Sequence, residues 1–150
     1  MAGKSDTLEY HLLRLVFNGV TISSLATSAG TTSLWVGLHT ADPGDACSTA
    51  SEGGYTQYTR VKTDRSTGAS TGWGVTSGTS NTDATAAPVT NVDFPQNTST
   101  STGTFTHASV WMSSNASSSG CLYAGTVSPN VNFSQNVTPR ITTGSSITED

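Results

Sequence analysis

The sequence predicts a mainly β fold: an antiparallel β-sandwich, jelly-roll-like, with one short N-terminal α-helix. Three observations lead there. Ser and Thr fill about a third of the 150 residues, while apolar residues are held to 33% and charged ones to 11%. Disordered chains usually join low hydrophobicity to high net charge, and a formal charge of −4 is small for this length. Thr also suits extended backbone, because its branched Cβ fits a pleated strand. The second observation is that short alternating runs recur from residue 31 onward, bounded by Gly, Pro, Asn and Asp. The third is that helical periodicity occurs once, near the start. The length is that of one ordinary domain. The expected layout is a single domain over 1–150, with a helical arm at 1–19. A sandwich at 31–145 then carries a long Thr/Ser-rich loop at 66–104.

The helix is expected over residues 6–17. Asp6 is its expected cap, and Glu9 three residues on completes a capping box. Leu8, Leu12, Leu15 and Val16 recur at helical spacing, and Asn18-Gly19 supplies a stop. So short a helix is marginal alone, so its Leu8/Leu12/Leu15 face needs a cover, either its own sheet or a neighbouring subunit. The first strand is "SLWVGLHT", with Leu34, Val36 and Leu38 on one face and Trp35 on the other. "YTQYTRVKTD" follows, placing Tyr58, Arg60 and Lys62 together. "TGTFTHASVWMSS" is a strong strand, and "CLYAGTVS" and "VTPRITTG" are shorter ones. Within 66–104 only "APVTNVDFP" carries apolar anchors.

Composition narrows the function classes. Six basic residues against ten acidic ones argue against a phosphate-binding surface, so no nucleic-acid partner is expected. No run approaches the roughly 18 apolar residues of a membrane span. Asp6, Glu9, His11 and Arg14 interrupt the N-terminus where a signal peptide would be apolar. A soluble chain made inside a cell is expected. For Cys47 and Cys121, two separate thiols are expected in preference to one long-range disulfide.

His39, Asp42 and Asp45 lie close together in "SLWVGLHTADPGD" and could supply a base and an orienting carboxylate. No G-x-S-x-G elbow accompanies them, nor any Cys-x-x-Cys or His-x-x-x-His pair for zinc. Asp42-Pro43-Gly44 is a turn string: Asp accepts backbone bonds, Pro presets φ, and Gly tolerates positive φ. His39, Asp42, Pro43 and Gly44 are therefore expected to form a structural turn, with no catalytic residue, no metal and no cofactor. Glu52, Tyr58 and Arg60 are expected as a structural strand pair. Arg60 would bond a carboxylate or loop carbonyls, with Tyr58 beside it. His107, taken to share a face with Phe105 and Trp111, is expected to be a packed, hydrogen-bonded residue.

Three segments together resemble a known family: "LHTADPGD", "SEGGYTQYTRV" and "FPQNTSTSTGTFTHASVWMSSNASSSGCLYAGTVSP". Their order resembles small bacteriophage virion structural proteins with an L-H-T-x-D-P turn, a Y-x-R strand and a T-H-x-x-x-W strand. A Ser/Gly turn and a strand carrying Leu and then Gly follow in that family, as Ser119, Gly120, Leu122 and Gly125 do here. The chain departs from the pattern across 66–104. The resemblance implies a virion component assembled in the host cytoplasm, and it implies no catalytic residue.

The expected role is a capsid cement protein tying adjacent major capsid subunits together. Its partners would be the major capsid protein or other virion subunits, and it would form a homo-oligomer, a trimer or dimer. Leu8, Leu12 and Leu15 are the expected subunit or capsid contacts. The alternative within a virion is a tail, neck or fibre-associated protein. From another class comes a host-surface carbohydrate-binding module, with Trp35, Tyr55, Tyr58, Trp73 and Trp111 as stacking faces.

Overall fold

A computed structural model describes residues 3–19, 33–65, 72–76, 84–115 and 120–149. Ser119, residues 31–32 at the start of the expected sandwich, and residues 66–71 and 77–83 of the Thr/Ser-rich segment lie outside the described residues. The largest sheet has β1 (Gly3–Lys4), β8 (Cys121–Phe133), β7 (Gly103–Trp111), β2 (Ser33–His39) and β3 (Val61–Asp64) side by side, in that order. A second sheet joins β10 (Ile147–Glu149), β5 (Ala84–Pro88) and β4 (Trp73–Thr76), and β6 (Val92–Asp93) pairs with β9 (Arg140–Ile141). Every pairing is antiparallel. The fold is mainly β, a sandwich with one short N-terminal helix, as the sequence predicts.

Strand alternation sorts the large sheet into two faces. Val36 pairs with Val110 and Leu38 with Ala108, so these four side chains share one face. Val92, Phe94 and Ile141 from the β6–β9 layer close over it, with Tyr55, Phe105 and Phe133 completing the buried cluster. The other face carries Trp35, Gly37 and His39, paired with Trp111, Ser109 and His107. There a smaller cluster of Cys47, Trp111 and Cys121 is buried, with Trp35 and Ala124 packed against it.

Register shifts between β7 and β8, at Phe105/His107 and at Val110/Trp111, break the simple alternation, with the extra residues in β8. An extra residue in one strand turns the following side chains to the opposite face. Phe105 therefore joins the main core, while His107 stays with Trp111 across the sheet. The expected grouping of His107 with both aromatics is half right for that reason.

The helix α1 (Asp6–Asn18) is present, with its cap one residue earlier than expected. Ser5, in extended conformation, accepts a bond from the Leu8 amide through Oγ, so Asp6 falls inside the first turn. Ser5 is the better cap here because the same hydroxyl donates to the Cys121 carbonyl at 2.7 Å. Gly19 ends the helix at φ 65°, a left-handed conformation that costs glycine little.

The segment expected as one long loop is largely built into the fold. Of its described residues, β4 and β5 pair with each other, and β6 pairs with β9. Val92, Phe94 and Asn97 are buried. Alanine, threonine and glycine make these strands nearly free of strong periodic signal, and cross-strand pairing supplies what local pattern does not.

The cysteines do pair: Cys47 and Cys121 form a disulfide across 74 residues, with Cα atoms 6.3 Å apart and both side chains fully buried. This corrects the expectation of two separate thiols. The tight turn at residues 44–48 folds onto the end of β7, where Trp111 sits opposite Cys121. The Ser/Gly-rich surroundings of both cysteines gave no sign of that approach.

Candidate functional site

His39 is fully buried at the end of β2, and its ring lies within a one-directional hydrogen-bond chain. The Trp111 indole can only donate, and it donates to Ser109 Oγ at 2.6 Å. Ser109 Oγ lies 2.7 Å from His39 Nε2, and Ser51 Oγ lies 3.4 Å from His39 Nδ1. Ser51 uses its own proton on the Ala41 carbonyl, so it must accept from Nδ1–H. His39 is then the neutral Nδ1–H tautomer, and Ser109 donates to Nε2. Burial lowers its pKa to about 4; nearby Glu52 opposes that shift, and Arg60 and His107 add to it.

A serine hydroxyl aimed at a histidine resembles the start of a nucleophile–base pair. Here Ser109 is as buried as His39, and the third partner is Ser51 rather than a carboxylate. Substrate has no approach to Ser109 Oγ in this arrangement. The cluster holds strand ends and loop together.

Gly37 shows how closely the parts fit. A Cβ there would lie 2.9 Å from Ser109 Oγ, 3.0 Å from Glu52 Oε1 and 3.4 Å from Trp111 Nε1. A glycine inside an otherwise apolar strand run is the sequence signal for such an approach, and sequence reasoning overlooked it.

Arg60 completes the cluster. Its Nε donates to Glu52 Oε1 at 2.6 Å and its Nη2 to Glu52 Oε2 at 2.7 Å, a bidentate pair. Nη1 donates to the carbonyls of Ser113 at 3.2 Å and Asn115 at 2.5 Å. The guanidinium carbon stands 3.6 Å from the Trp111 ring centre, a cation–π contact. Sequence reasoning anticipates the carboxylate and carbonyl partners. It misplaces the backbone, since Tyr58 and Arg60 precede β3 rather than lying in a strand. Tyr58 packs among Tyr55, Phe94 and Phe105 in the main core. Its hydroxyl accepts from the Leu38 amide at 2.7 Å and donates to Glu52 Oε1 at 3.4 Å, and burial pushes its pKa up. Glu52 thus links the two faces of the sheet.

The residues of "SLWVGLHTADPGD" do not converge. Asp42 is exposed and accepts from the Gly44 amide at 2.8 Å, while Gly44 has φ 65°. Pro43 is buried and its carbonyl accepts from Ser48. Asp45 bonds through its carbonyl to the Asp6 amide. His107 Nε2 is 3.9 Å from Asp42 Oδ1, at the edge of an ion-pair distance. Among the described residues, no three His, Cys, Asp or Glu side chains group as metal ligands. No helix among them is long and apolar enough to cross a membrane.

The five aromatic residues considered as stacking faces are mostly internal. Trp111 and Tyr55 are buried, Tyr58 lies in the core, and Trp35 and Trp73 are half-buried. They form no common platform, which removes the feature that raised the glycan-binding alternative.

A loop bound to a sheet by a disulfide, a buried ion pair and a sealed histidine defines a structural β-module. The sequence supports that class directly. Residues 3–148 match the family described as Podophage GP4 fiber I protein gp80, and the chain belongs to that family. It is thus a phage virion structural protein, of a fibre family. No curated protein matches the sequence.

Proposed function

We propose that this chain is a non-enzymatic building block of a podophage fibre. The observation that carries this reading is the match of nearly the whole chain, residues 3–148, to a fibre family. The buried cluster supports it, since its polar groups satisfy one another instead of facing an open cleft. The fibre alternative therefore replaces capsid cement as the preferred role, and its partners are other fibre or tail subunits rather than the major capsid protein. Rigidity serves such a part better than a reactive centre would.

Quantitative protein analysis of purified virions tests the role. A fibre part is expected at a few to tens of copies per particle, far below the major capsid protein. A copy number near that of the shell subunit would restore the cement reading and overturn this one.

A further inference from the structure

The helix α1 carries two apolar faces, and the described residues of its own subunit bury one of them. Leu8 is buried, Leu12 is half-buried, and the backbone of Ser5 and Asp6 bonds to Leu122 and Asp45. On the opposite side Tyr10 is 57% exposed, Leu13 58%, Val16 71% and Phe17 78%. This relocates the expected contact surface, because Leu8 and Leu12 face their own sheet and Leu15 sits at the margin. Apolar residues on two opposite faces of one helix call for a cover on each side.

The exposed residues follow a coiled-coil pattern. With Tyr10 at position a, Leu13 falls at d and Phe17 at the next a. Glu9 and Arg14 then occupy g and e, flanking the stripe on opposite sides. When two such helices pair in parallel, the g residue of one faces the e residue five positions on in the other. Glu9 of each copy then meets Arg14 of its partner, and the two charges are complementary. An antiparallel pair offers no such match, because Glu9 of one copy would then lie beside the C-terminal turn of the other, away from Arg14. Tyr10, Leu13, Val16 and Phe17 together offer roughly 500 Å² of surface per copy. That is the greater part of the roughly 800 Å² per partner in a stable protein pair.

We propose that the Tyr10–Leu13–Phe17 face of α1 is a self-association surface, occupied by the same helix of a second copy lying parallel to it. The proposal stands on the helix alone and does not depend on the fibre role. Light scattering on the full chain is expected to give at least twice the 15.4 kDa mass of one chain. The double variant Leu13→Glu/Phe17→Glu is expected to return to the single-chain mass with its circular dichroism spectrum retained. Glu9→Arg alone and Arg14→Glu alone are each expected to shift the population toward monomer, and the two together to restore the oligomer. A monomeric wild-type chain overturns the proposal, including one whose α1 gains protection only inside virions, which would assign the face to another virion protein. An oligomer that survives the double Glu variant, or a charge swap that restores nothing, overturns it as well.

Discussion

The guanidinium of Arg60 meets a carboxylate along one edge, two carbonyls along another and the Trp111 ring on its face. Lys would keep the charge and lose the planar fork, leaving Glu52 and the Ser113 and Asn115 carbonyls short of donors. Arg60→Lys is expected to cost about 2 kcal/mol, since the Glu52 carboxylate left behind is buried. That lowers the thermal midpoint by roughly 4–8 °C in a chain of this size. An unchanged midpoint would show that the fork contributes nothing. His39 gives a pH signature. Its folded pKa of about 4 lies below the ordinary 6.5, so between those values the unfolded chain takes up a proton that the folded chain refuses. The contribution of His39 is therefore complete above pH 6.5 and is lost as pH falls toward 4. The loss is on the order of 3 kcal/mol, and denaturant melts of wild type and His39→Asn at pH 7 and pH 4.5 read it. The wild type should lose more stability over that window, and equal losses would contradict a buried neutral His39. At Gly37, Ala is expected to cost about 2 kcal/mol by overpacking against Ser109 and Glu52. Chemical denaturation of Gly37→Ala reads that cost, and a wild-type midpoint would argue against so close a fit.

At the scale of elements, the disulfide fastens the turn at 44–48 to the start of β8, beside the backbone bonds that seat α1. Closing a loop across 74 residues removes about 4 kcal/mol of unfolded-state freedom. Cys47→Ser is expected to lower the midpoint by roughly 8–16 °C. Melting curves with and without reductant should show the same fall in the wild type and none in the variant. A wild-type midpoint unmoved by full reduction would remove the disulfide from the account. The elements also show what a sequence discloses. The strand β2 and the helix were legible because Leu34, Val36 and Leu38 alternate and because Asn18-Gly19 ends a periodic run. The strands β4 and β5 were not, since their Ala, Gly and Thr residues pack by pairing across strands and carry little pattern of their own, and β6 is only two residues long. The bulges between β7 and β8 escaped too, because the extra residues lie in β8 and leave no mark in the sequence around Phe105. Pairing of Cys47 with Cys121 depends on where the turn at 44–48 folds in space, which no local signal encodes.

At the scale of the whole molecule, the described residues centre on a large antiparallel sheet with a different kind of packing on each face. One side is an aromatic and aliphatic core of Phe94, Phe105, Phe133 and Tyr55. The other is a loop secured by the disulfide, the Glu52–Arg60 pair and His39. Glu52 and Tyr58 connect the two, so loop, strand and core are expected to hold together as one unit. Such a unit suits a part that carries mechanical and solvent exposure on the outside of a particle, and the virion class was legible in the "LHTADPGD", "YTR" and "THASVW" segments. The choice between shell and fibre was not, because cement and fibre parts ask for the same polar, strand-rich surface. Electron microscopy of intact phage particles labelled with an antibody to this chain tests the placement most directly. The account predicts label on fibres at the tail end of the particle and bare shells. Label spread evenly over the icosahedral shell would contradict it.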